Sequence, residues 1–186
     1  MATAVAARPR NRNRLLVYLL IGAAVSLSLG VYGRVHDPTG EALVSLFFAS
    51  SINLKVWFAT TAFALAIFQE LSALKMYGKL GKGFGPRWLP KVHRASGTLA
   101  FLFAIPVAYH CLWSLGYQSS DPRVLVHGFF GCLFFGALTA KVLVVRAKRM
   151  PRWALPVLGG LLFTALTVVW LTSAFWFFTT VDFPGV

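Results

Sequence analysis

Acidic residues are scarce. Only five of the 186 positions are Asp or Glu, against eighteen Lys and Arg. Charged residues of both signs make up 12% of the chain and hydrophobic ones 58%, at a mean hydropathy of +0.70. That leaves too little polar surface to wrap a water-soluble domain. Cysteine is nearly missing as well. Cys111 and Cys132 stand alone, with no C-x-x-C-H for covalent haem attachment and no paired C-x-x-C for zinc or an iron–sulfur cluster, so both read as small apolar fillers. The chain also lacks the alternating segments of about ten residues that build outer-membrane barrels, and the inverted repeats of a transporter. The glycines of Tyr77–Pro86 follow no strand and make a flexible connector rather than a phosphate loop.

What the chain does have is long apolar runs. A helical span needs roughly 20 apolar residues, and five stretches qualify: 15–32, 56–74, 95–115, 124–145 and 154–178. Continuous runs of this length can cross a bilayer only as helices, which predicts an all-α integral membrane bundle of five transmembrane helices. Residues 1–14 are expected to form a disordered basic tail, 41–51 a short amphipathic helix on the outer surface, and 179–186 an outer C-terminal tail. The first run follows an arginine-rich stretch like a secretory signal, but it is longer than a signal h-region and no convincing cleavage site follows, so an uncleaved anchor is expected.

Basic residues alternate by side. Fifteen of the eighteen lie before the first run or around the second and fourth loops, leaving Arg34, Lys55 and Arg123 on the other side. The positive-inside rule then places the N-terminus in the cytoplasm and the C-terminus outside, in a multi-pass protein of the cell inner (plasma) membrane. The net charge of +13 reports this topology and contact with anionic lipid, not nucleic acid.

Chemistry centres on histidine. His110 lies six residues before Gly116 and His127 five after Pro122, so at 1.5 Å per residue both fall about 5–9 Å below the same membrane boundary. The connecting loop is short, and antiparallel neighbours are expected to bring the two imidazoles to one level as axial ligands of a single haem b. Gly128, Gly131 and Gly136 leave room for close helix packing or for a porphyrin. Tyr109, Trp113 and Phe129 are expected to wall the ring, and Arg123 or Lys55 to neutralise its propionates. Interhelical hydrogen bonding by the same histidines is the competing expectation, and intramembrane ionisable groups weigh toward function.

A second polar group gathers at the cytoplasmic side: Glu70, His93, Arg94, Ser96 and Lys141. Lys141 follows His127 by fourteen residues, which returns it to within about 40° of the same helix face some 21 Å deeper. With lysine there, no second histidine pairs with His93, so one haem is expected rather than two. His93, Arg94 and Ser96 can donate hydrogen bonds to a quinone carbonyl while Glu70 carries a proton. In the competing reading Arg94 and Lys141 snorkel to lipid headgroups and Glu70 pairs with one of them.

The run His93-Arg94-Ala95-Ser96-Gly97 resembles the H-R-x-[ST]-G element opening a helix of the cytochrome b anchor subunit of succinate dehydrogenase, which implies a quinone near Arg94. Residues 93–178, with a histidine near the far end of one helix and another opening the next, resemble small bacterial b-type cytochromes related to ferric-reductase-like membrane proteins. Together these imply a membrane haem protein, an oxidoreductase component that passes electrons between a quinol or partner subunit and an acceptor. The alternative expectation is a cofactor-free anchor or scaffold subunit of a respiratory complex.

Overall fold

A computed structural model describes residues 12–41 and 45–181. Among them the chain is entirely helical, and five helices are long and apolar enough to cross a membrane: α1 (Arg12–Val35), α2 (Ser51–Met76), α3 (Leu89–Leu115), α4 (Pro122–Arg146) and α5 (Ala154–Thr180). Each contains one of the apolar runs. The first four helices begin earlier than their runs, and at α2 and α3 capping and proline, not hydropathy, fix the start. Ser50 is extended and its hydroxyl accepts from Asn53 N at 3.2 Å, so α2 takes in Lys55. Pro90 in the first turn of α3 brings His93 and Arg94 inside that span.

Of the expected surface helix at 41–51, residues 45–50 form turns and bends and Ser51 already belongs to α2, while 42–44 lie outside the described residues. The expected tails also fall largely outside them: Arg12 and Arg14 stand in α1, and residues 1–11 and 182–186 are not described.

Successive connections lie at alternate ends. The α2–α3 and α4–α5 loops, with Lys79, Lys82, Arg87, Lys148 and Arg149, make a basic end. The α1–α2 and α3–α4 connections make the other, here called the histidine end. Packing does not follow chain order. α4 sits between α1 and α5, α2 packs on α3 and α5, and α3 and α4 are not packed closely on each other although they are consecutive.

Two clusters hold the bundle. Ala66, Phe134, Ala137, Leu162, Ala165 and Leu166 join α2, α4 and α5, and Leu15, Ala140, Val144, Ala154 and Leu158 join α1, α4 and α5. The α1–α4 seam is made by glycine. A Cβ at Gly136 would run into the carbonyl of Gly22 and the hydroxyl of Ser26, and Ser26 Oγ donates to Cys132 O at 3.0 Å. Backbones approach this closely only where side chains are absent, the usual route to dispersion contact between helices in lipid. Leu16, Leu20, Leu27, Leu102 and Val157, all more than half exposed, give the outward faces an apolar coat suited to a bilayer.

Two π-helical turns break the α geometry, at Cys111–Leu115 in α3 and at Leu171–Phe175 in α5. Both lie at the histidine end. Such turns release carbonyls from the regular ladder, and the α1–α2 connection satisfies those of α3: Gly40 N donates to Ser114 O at 3.0 Å and Thr39 N to Trp113 O at 3.4 Å.

Candidate functional site

The histidine end brings together residues from four helices. His110 is the last α-helical residue of α3 before its π turn, His127 lies in the second turn of α4, and Lys55 is the fifth residue of α2. Counted from the helix ends, all three sit at about 6–8 Å depth. Lys55 is within electrostatic reach of His110, Cys111 and His127 alike, so one cation influences both histidines.

His127 is held through one nitrogen. Its Nδ1 lies 3.2 Å from Thr172 Oγ1, and that hydroxyl already donates to Val168 O at 2.7 Å. With that hydroxyl bonded to a carbonyl, Thr172 Oγ1 is placed to accept from the imidazole, and the ring also reaches the backbone carbonyl of Val169. The π turn at Leu171–Phe175 carries Thr172, so a helix irregularity supplies this partner. His110 is 7% exposed. The His110 ring takes no hydrogen bond from the described residues, and its side-chain nitrogens are not among the fully buried atoms that lack a partner.

The three glycines separate into different roles. Gly136 forms the α1–α4 seam, and Gly128 is the socket for the ring of Tyr117, which a Cβ would meet at 2.9 Å. Gly131, one turn beyond His127 on the same face, has nothing within 4 Å of the place a Cβ would occupy. Burial raises the phenol pKa of Tyr117, with Cys132 adding to the effect.

The expected aromatic walls have other partners. Tyr109 is 50% exposed and stacks on Trp113 at 6.1 Å. Trp113 stacks on His36 at 4.7 Å and His36 on Tyr32 at 5.0 Å, while His36 Nε2 lies 3.2 Å from Trp113 O. The four rings form a ladder from α1 to α3. Phe129 is exposed. Arg123 is fully engaged: it donates to Thr172 O at 2.7 Å, lies 3.8 Å over the Trp176 ring and sits 3.7 Å from Asp121.

The basic end carries a second constellation. Gln69 Nε2 donates to His93 O and to Ser96 Oγ, the latter at 2.6 Å, and His93 Nδ1 lies 2.7 Å from Ser72 Oγ. Lys141 is within electrostatic reach of both His93 and Glu70. His93, Glu70 and Lys141 lie about 6–9 Å from the helix ends, so these residues of α2, α3 and α4 share one level. Arg94 is exposed and stands outside this network.

A model of a family of unknown function, DUF6529, matches residues 15–185 and so takes in all five spans. The chain belongs to that family. Comparison with curated proteins and with solved structures gives no match. Among the described residues of this DUF6529 chain, no three or more His, Cys, Asp or Glu side chains converge as a metal site; the histidine end offers two imidazoles within electrostatic reach of Lys55.

Sequence reasoning missed Thr172, Gln69, Ser72, Tyr117 and the placement of His36. Hydroxyl and amide side chains inside apolar helices were the available signal, since a polar group at that depth needs a partner, but nothing in the chain says which helix supplies it.

Proposed function

We propose that this DUF6529 protein is a b-type membrane cytochrome, with His110 and His127 as the axial ligands of one haem at the histidine end. The observation that carries the reading is the contact of His127 Nδ1 with Thr172 Oγ1 at 3.2 Å: an outer partner of this kind is what orients a metal-bound imidazole. The residues fit the group in three further respects. His110 is shielded yet unbonded, α3 and α4 are not packed closely on each other, and Gly131 leaves open space one turn from His127. A bare transition-metal ion would need three or four protein ligands; a porphyrin brings four of its own, so two histidines complete iron.

Bound there, the haem would supply reversible one-electron chemistry. The chain contributes the rest. Thr172 holds His127 in register, the apolar helices around the site exclude water, and Lys55 adds positive charge.

The basic end faces the cytoplasm in this proposal, with the C-terminus outside and the chain in the cell inner membrane. There Gln69, Ser72 and Ser96 hold His93 in place, and the His93 imidazole with Glu70 and Lys141 supplies proton-exchanging groups for the head of a quinol donor. Arg94 takes no part in that site, because it is exposed and outside the network.

The deciding measurement is a pyridine haemochrome assay on the purified protein, together with a reduced-minus-oxidised spectrum. One haem per chain with a low-spin b-type spectrum, abolished in His110→Ala and in His127→Ala, is the expected result. Full spectral retention in both variants removes the ligand assignment, and a colourless wild-type protein favours a cofactor-free anchor.

A further inference from the structure

Lys55 is a cation without a counter-ion. It is half-buried and takes neither a hydrogen bond nor an ion pair from the described residues, whose single ion pair is that of Arg123 with Asp121. Its place on α2 gives it a direction. Residues 55, 62, 66 and 69 follow one stripe of a helix, at i, i+7, i+11 and i+14. Ala62 and Ala66 on that stripe are buried, and Gln69 reaches α3. The stripe faces inward, and Lys55 is its outermost member, within electrostatic reach of both histidines.

Leaving an ammonium unpaired at that depth is costly, and such groups are ordinarily matched by an opposite charge. None of the four acids among the described residues supplies one. Asp121 is held by Arg123, Glu70 lies at the basic end beside Lys141, and neither Asp37 nor Glu41 is joined to Lys55 in an ion pair. Arg123, the other cation at this end, is already occupied by Thr172, Trp176 and Asp121.

We propose that Lys55 is the carboxylate-binding residue of the histidine site, ion-pairing a propionate of the porphyrin held by His110 and His127. The assignment rests on the haem reading and adds to it which residue recognises the acidic edge of the ligand. Lys55 thereby favours a porphyrin bearing free carboxylates and stabilises the added electron of the reduced state.

The test uses the full-length chain in detergent, stripped of haem and reconstituted with haem b or with its dimethyl ester, which lacks the charges. The wild type is expected to bind the free acid about tenfold more tightly than the ester, the scale of one charge-assisted hydrogen bond. Lys55→Met binds both porphyrins equally, with the low-spin spectrum retained. Lys55→Arg keeps the preference, and so does Arg123→Met. The midpoint potential of Lys55→Met falls, by about 59 mV for each tenfold change in the reduced-to-oxidised ratio.

A wild type that binds both porphyrins without preference, or a Lys55→Met variant that keeps the preference, overturns the role of Lys55 and leaves the haem reading standing. Failure of the wild type to bind either porphyrin overturns the haem reading, and the role of Lys55 with it.

Discussion

The two flanks of α4 show opposite uses of glycine. Toward α1, Gly136 faces Gly22 so closely that a single methyl would strike the opposing carbonyl, and Ser26 bonds across the seam. Around Gly131, one turn from His127, a methyl would touch nothing within 4 Å. The same residue type closes one interface and leaves space at another. The difference teaches that small residues in a membrane helix mark a site only where no neighbour has moved in to use the room.

Substitutions at the two positions should therefore part sharply. The largest expected effect is on the occupied side: Gly136→Leu drives a side chain into α1 and should destabilise the bundle by about 1–3 kcal/mol or more, read as a lowered unfolding midpoint in detergent with loss of haem as a consequence. Gly131→Leu should leave the unfolding midpoint of the haem-free protein within about 0.5 kcal/mol of wild type, yet reduce haem per chain by filling the open space. Equal destabilisation by both variants would erase the distinction.

A finer break falls between the two held histidines. Thr172→Val removes the acceptor of the His127 Nδ1 proton and should weaken haem binding about 10–100-fold, while Thr172→Ser restores it. Ser72→Ala, the matching change beneath His93, should cost about 0.5–1.5 kcal/mol of stability and leave haem content unchanged. The smallest effect concerns Tyr117, whose folded-state pKa is raised by burial. As pH rises past about 10, the unfolded chain releases that proton first, so stability is lost above this point; Tyr117→Phe should flatten the high-pH arm of the unfolding profile.

Much of the architecture could be read without coordinates. The five apolar runs each lie in one helix, and their order sets which connections share an end. Helix starts could not be read from hydropathy, because a Ser50 hydroxyl and an early Pro90 act through hydrogen bonding and backbone torsion, independent of apolar content. Depth was legible too. His110, His127 and Lys55 share a level because residues climb a helix by a constant rise.

Pairing between helices was not legible. Adjacency in sequence suggested that α3 and α4 pack as a hairpin, whereas α4 packs on α1 and α5. Tyr109 stacks on Trp113, and Trp113 lies tilted against His36, contacts that spacing along the chain does not specify. Arg123 and Lys55 looked interchangeable until Thr172, Trp176 and Asp121 were found to occupy the arginine. Each of these contacts joins residues far apart in the chain, and local pattern carries no term for them.

By itself, then, the sequence determined that this chain carries five runs long and apolar enough to cross a membrane, and how far along them its polar groups lie, because hydrophobic transfer and helix rise act residue by residue. Only the tertiary structure decided which glycine is filled, which hydroxyl meets a histidine and which cation has no ion pair among the described residues. Those outcomes depend on what the neighbouring helix brings to the contact, and helix pairing in a bilayer is settled by steric fit and hydrogen bonding across the seam rather than by any property of one strand of sequence.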